Sequence, residues 1–294
     1  MSGIRTIDID WNGRSIRIEH QWWFEERVDR PLVVFLHEGL GSVAMWKDFP
    51  ERFCKAAGVR GLVYSRPGYG ASTPRAADER WRPDYMHRQA VEVLPALLNA
   101  LGQKTPPWLF GHSDGGSIAL IFASTFPQAT AGLIVVAPHI LVEEFGLASI
   151  RAARQSYLAT DLRARLARYH ADVDSAFWGW NDIWLDPAFE AFDIRALLPS
   201  IRCRVLAVQG MADEYGTLEQ IRGIARQVAT TELLELPHCG HSPHRDQPDA
   251  LIAAGTAFLA AHCEPAQFER MPSQEGRVLP LARLAQAGEP PSPR

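Results

Sequence analysis

The 294-residue chain has room for one large domain with an insertion or for two modest ones, and its 47% hydrophobic and 22% charged residues are ordinary for a protein with a sizeable buried core. A net charge of −4 offers no basic surplus for nucleic acid, and no apolar run approaches the length of a membrane span. The N-terminus lacks the basic-then-apolar pattern of a secretory signal, so a cytoplasmic location is expected, and the scattered Cys54, Cys203, Cys239 and Cys263 are expected to be free thiols.

In chain order, "RTIDID" and "RSIRIEHQWWF" pattern as an antiparallel hairpin. "PLVVFLH" from Pro31 and "GLVYS" from Gly61 follow as short apolar runs without alternation, as strands buried on both faces of a parallel sheet require. "MHRQAVEVLPALLNAL" from Met86 has helical spacing, with a kink predicted at Pro95. The strand "PWLFGH" then runs into "GGSIALIFASTF", which is apolar nearly all round and predicts a helix packed against the sheet. After the strand "GLIVVAP", residues 139–201 offer helical patterns and no strand, which reads as a helical cap inserted between core segments 1–138 and 202–263. The strands "RVLAVQG" and "ELLELP" complete an α/β doubly wound pattern, and residues 264–294, rich in Pro, Glu, Arg and Ala, are expected to order poorly.

The stretch "LFGHSDGG" leaves almost no loop between a strand and a helix. Ser113 must therefore occupy a very tight turn, with Gly111 and Gly115 letting the backbone pass, and its hydroxyl is raised at the carboxyl end of the sheet beside a helix N-terminus. This is the G-x-S-x-G elbow that presents a nucleophile. A serine nucleophile needs a base, and the base an orienting acid. Downstream, Asp213 and Glu214 follow one strand, and His238, His241 and His244 share the loop after the next.

Ser113, Asp213 and His241, in that chain order, resemble the catalytic set of the α/β-hydrolase superfamily, and the resemblance extends from about Pro31 to Ala261. It implies an α/β-hydrolase fold with a cap, Ser113 as nucleophile, His241 as base and Asp213 as orienting acid, and no cofactor. "FLHEGLGS" looks like the superfamily's oxyanion loop and "YSRPGYGAST" is similar to its Arg-x-Gly-x-Gly-x-Ser segment, which implies oxyanion donors at the backbone N–H groups of Gly39 and Asp114. A departure is Glu38, an acidic residue where the superfamily usually has glycine. Serine hydrolases similar to valacyclovir hydrolase share the Ser-Asp-Gly-Gly order and use the aspartate to hold a substrate ammonium. Asp114 and Glu38 are accordingly candidates for recognising an amine or hydrogen-bond donor, beside the plainer reading of Asp114 as a helix-dipole partner. Trp178, Trp180 and Trp184 are candidates to line the pocket from the cap.

"HCGHSPH" lacks the second ligand cluster expected of a zinc site, and no Walker or G-x-G-x-x-G pattern supports nucleotide binding. The expected function is hydrolysis of a small-molecule carboxylic ester or lactone. The alternatives are carbon–carbon hydrolysis of an aromatic-degradation dienoate, hydrolysis of an amino-acid ester, and a ligand receptor on a hydrolase scaffold. Monomer and homo-oligomer remain equally open.

Overall fold

Asn12 and Gly13 both take positive φ, 54° and 69°, and this tight turn pairs β1 (Arg5–Trp11) antiparallel with β2 (Arg14–Trp23). In the computed structural model, which describes residues 3–76 and 78–263, the hairpin joins β3 (Leu32–Leu36), β4 (Arg60–Tyr64), β5 (Trp108–His112), β6 (Gly132–Val136), β7 (Arg204–Gly210) and β8 (Thr231–Leu236). The eight strands lie in the order β1-β2-β4-β3-β5-β6-β7-β8; β2 meets β4 antiparallel and every later pairing is parallel. The long apolar runs form the central strands because both faces are covered. β8 pairs only with β7 at the edge, so Glu232 and Leu233 are exposed there.

The helices follow in order as α1 (Phe49–Ala57), α2 (Tyr85–Arg88), α3 (Leu94–Ala100) and α4 (Asp114–Thr125). The irregularity expected at Pro95 falls one turn earlier, as a π-helical turn over Gln89–Val93. Pro95 then lies in the first turn of α3, where its missing N–H costs nothing. Between β6 and β7 run α5 (Glu144–Ala159), α6 (Leu162–Leu166) and α7 (Val173–Trp184) with two 3₁₀ turns. The Asp172 side chain caps α7 by accepting from Ser175 N–H at 2.8 Å, and Asn181 pins α7 to α5 by donating to the Ile150 carbonyl at 3.0 Å. α8 (Glu219–Gln227), α9 (Pro243–Asp246) and α10 (Pro248–His262) complete the described chain. Residues 264–294, expected to order poorly, lie outside the described residues.

Alternate residues of single strands enter two separate cores. Val33, Phe35 and Phe110 pack with Phe53 of α1 and Phe258 of α10 on one face, while Val34, Leu36 and Leu109 pack with Ile118 and Phe122 of α4 on the other. The carboxyl ends of β5, β6, β7 and β8 therefore open together beneath the segment between β6 and β7. All four cysteines are unpaired.

Candidate active site

Ser113 sits between the end of β5 and the start of α4 with φ 53° and ψ −120°, a conformation strained for a residue with a side chain. The turn is possible because its neighbours are glycines. A Cβ at Gly111 would lie 2.6 Å from the Gly116 nitrogen, and one at Gly115 only 2.7 Å from the His37 carbonyl oxygen. A hydrogen bond from Ser113 N–H to the Val136 carbonyl at 2.9 Å ties the elbow to β6.

Asp213 and His241 leave the ends of β7 and β8 and meet. His241 Nδ1 stands 2.8 Å from Asp213 Oδ1 and 3.0 Å from Oδ2. The carboxylate also accepts from the N–H of Tyr215 at 2.8 Å and from Gln209 Nε2 at 3.1 Å. Burial works to raise the Asp213 carboxyl, but the hydrogen bond and charge of His241 hold it below its usual range, so it stays ionised. Glu214, the other acid in that loop, instead accepts from the His241 backbone N–H at 3.1 Å. His238 is exposed; His244 is buried between Trp46 and His112.

The Ser113 hydroxyl is hydrogen-bonded to His139 Nε2 at 3.5 Å, and among the described residues no hydrogen bond joins it to His241. Sequence reasoning missed His139 and placed it at the start of the cap. Its position is set at both ends. Ala137, at φ 47°, turns the chain after β6, and the Ser117 hydroxyl of α4 donates to the His139 carbonyl at 2.7 Å while accepting from its N–H at 3.0 Å. Burial, with the neighbouring His241 adding to it, lowers the imidazole to about 3, so the ring is neutral. One signal was available: a titratable side chain three residues past a central strand, at the sheet end where α/β folds bind ligands.

Ser113, His139 and His241 line one cavity of about 210 Å³, together with Glu38, Gly39, Trp180, Trp184 and Arg245. The N–H groups of Gly39 and Asp114 have no protein acceptor among the described residues, and a side chain at Gly39 would collide with the Trp180 indole. Glu38 reaches the cavity with its side chain 21% exposed and its Oε2 3.5 Å from His112 Nδ1; burial would raise its carboxyl, but His112 and the other adjacent imidazoles hold it well below the usual range. The Asp114 carboxylate does not line the cavity. It is fully buried, accepts from Tyr85 Oη at 2.8 Å and Trp184 Nε1 at 3.3 Å, and pairs with the equally buried Arg66 at 3.5 Å. Trp178 points elsewhere, its ring under the Arg154 guanidinium at 5.2 Å. Among the described residues no three His, Cys, Asp or Glu side chains converge as metal ligands, and no helix is long and apolar enough to cross a membrane.

The model of the alpha/beta hydrolase family matches residues 33–254. A 2-succinyl-6-hydroxy-2,4-cyclohexadiene-1-carboxylate synthase of Klebsiella pneumoniae is 28% identical over 260 residues, covering 79% of this chain and 94% of that protein. A 2-hydroxy-6-oxo-6-phenylhexa-2,4-dienoate hydrolase of Burkholderia cepacia is 24% identical over 255 residues, 78% of this chain and 87% of its own. Among solved structures, a thermophilic esterase from Thermogutta terrifontis superposes with a TM-score of 0.67 at 21% identity, covering 88% of this chain and 99% of the esterase. The enol-lactonase from Burkholderia xenovorans also gives 0.67, at 19% identity and with 86% of this chain and all of the other covered.

Proposed function

This chain belongs to the alpha/beta hydrolase family, and on that premise we propose that it is a serine hydrolase cleaving a small carboxylic ester or lactone through an acyl-enzyme. The observation that carries the reading is the His241–Asp213 pair, 2.8 Å apart, opening into the same cavity as a serine on a strained turn. In the first step Ser113 turns from His139 to His241, gives up its proton to that imidazole and attacks the carbonyl carbon. Asp213 holds the ring with Nδ1–H toward itself and so leaves Nε2 as the base. The N–H groups of Gly39 and Asp114 receive the developing oxyanion, each worth about 3 kcal/mol by analogy with other oxyanion donors. His241 then protonates the leaving oxygen, and a water activated by the same ring releases the acid.

Glu38 and Glu214 both line the cavity; Glu214 already accepts from the His241 N–H, so Glu38 is our candidate for a donor group on the substrate, with Trp180 and Trp184 as the apolar wall. Asp114 drops out as an amine site because Arg66, Tyr85 and Trp184 already occupy its carboxylate. A second reading, carbon–carbon hydrolysis of a dienoate, is supported by the likeness to the Burkholderia cepacia hydrolase over 78% of the chain. Fluorophosphonate treatment followed by peptide mass spectrometry tests the mechanism. We expect one adduct, on Ser113, and none in Ser113→Ala; an adduct elsewhere refutes the assignment. A panel of short esters, lactones and dienoates separates the two reactions, and ligand binding without turnover in the wild type would favour a receptor.

A further inference from the structure

His139 Nε2 has one hydrogen-bond partner among the described residues, the Ser113 hydroxyl, and the residue is only 5% exposed. Any acyl-enzyme route removes that partner. Once Oγ has given its proton to His241 and become an ester oxygen, it has nothing to donate and accepts weakly. A buried imidazole nitrogen then faces the cavity unpaired, which is unfavourable unless another group replaces the lost bond. The Ser117 hydroxyl holds both backbone groups of His139, and the Trp184 ring packs against the imidazole with the two ring centres 4.8 Å apart, so the ring is confined beside the cavity. The group in place at that moment is the substrate. A hydroxyl suits either imidazole tautomer, since it both donates and accepts.

We propose that His139 is a specificity-determining residue that selects acyl groups bearing a hydroxyl close to the scissile carbonyl, which takes over the hydrogen bond that Ser113 surrenders. The inference rests on the Ser113 acyl-enzyme described above. The space agrees with a compact acyl group: a dry cavity of about 150 Å³ holds a benzene molecule, and this one measures about 210 Å³.

The test compares p-nitrophenyl butanoate with its 2-hydroxy and 3-hydroxy counterparts in the wild type, His139→Leu, His139→Gln and Ser113→Ala. The readout is the preference, kcat/KM for a hydroxy ester over that for butanoate; its change between variants cancels the intrinsic reactivity of each ester. We expect the preference for at least one hydroxy ester to fall about three- to tenfold in His139→Leu, as loss of one neutral hydrogen bond implies. His139→Gln, whose amide also donates and accepts, should restore most of it. A preference unchanged in His139→Leu, or equal losses on every ester, overturns the proposal and leaves Ser113 catalysis standing. Turnover persisting in Ser113→Ala overturns the serine mechanism and this inference with it, and turnover absent in the wild type for all three esters overturns this inference alone.

Discussion

Asp114→Asn separates a structural carboxylate from a substrate-binding one. The side chain is fully buried and lies 3.5 Å from the Arg66 guanidinium, which is itself wholly excluded from solvent. Opposite charges at that distance attract by about 5 kcal/mol at an effective dielectric constant of 20. The amide would retain one acceptor for Tyr85 or Trp184, but it would leave Arg66 with only the Glu38 carbonyl at 2.8 Å, the His37 ring at 3.4 Å and the face of Tyr69. An uncompensated buried charge of this kind typically costs about 3–5 kcal/mol. Urea unfolding should therefore show Asp114→Asn about 3 kcal/mol less stable, and a thermal midpoint lowered by about 6–12 °C is the corresponding shift at this size. In Arg66→Met the same substitution should cost far less, because no orphaned cation remains. The preference between aminoacyl esters and their des-amino counterparts should be the same in Asp114→Asn as in the wild type. Stability within 1 kcal/mol of the wild type, together with loss of an amine preference, would refute the reasoning.

Asp213→Asn should lower kcat/KM by about 10³–10⁴ with little change in fold, because an amide cannot accept from His241, Tyr215 and Gln209 at once and favours the wrong imidazole tautomer; a loss under tenfold would contradict the role given to this carboxylate. Acid should weaken the fold through His139. Its proton binds near pH 3 in the folded protein against 6.5 for the free side chain, so the unfolded chain holds the extra proton between those values. The contribution is complete above about pH 6.5 and declines as pH falls, by up to about 1.4 kcal/mol per unit, or about 2 kcal/mol at pH 5. Urea midpoints at pH 7.5 and 5 should converge accordingly in His139→Gln; parallel losses in both proteins would remove His139 as the cause.

Much of this architecture was legible because the determining signals are local. Continuous apolar runs marked the central strands, and "GHSDG" between an apolar strand and an apolar helix marked the elbow. What escaped depends on distant partners. Arg66 read as part of a loop motif, yet folding buries it between residues 38 and 114, and the Asp114 carboxylate meets Tyr85 and Trp184 from two other elements. Helical spacing could have sorted the tryptophans: Trp180 and Trp184 are four apart on one face of α7, whereas Trp178 lies two residues off it. The Ser113–His139 bond had no comparable sequence cue beyond the end of β6, since the Ser117 clamp on the His139 backbone forms only when α4 packs beside that strand.

The Ser117 hydroxyl couples two parts of the site mechanically. Residue 117 lies one helical turn beyond Ser113, so the helix that begins at the elbow also holds, through the Ser117 hydroxyl, the backbone of the residue whose imidazole faces that serine. Tilting that helix would move Ser113 directly and His139 through the Ser117 bonds, altering their aim toward His241, which is held by Asp213 beyond the end of β7. Changes to the wall formed by Trp180 and Trp184 leave this coupling untouched, but any change to the first two turns after the elbow retunes two groups at once.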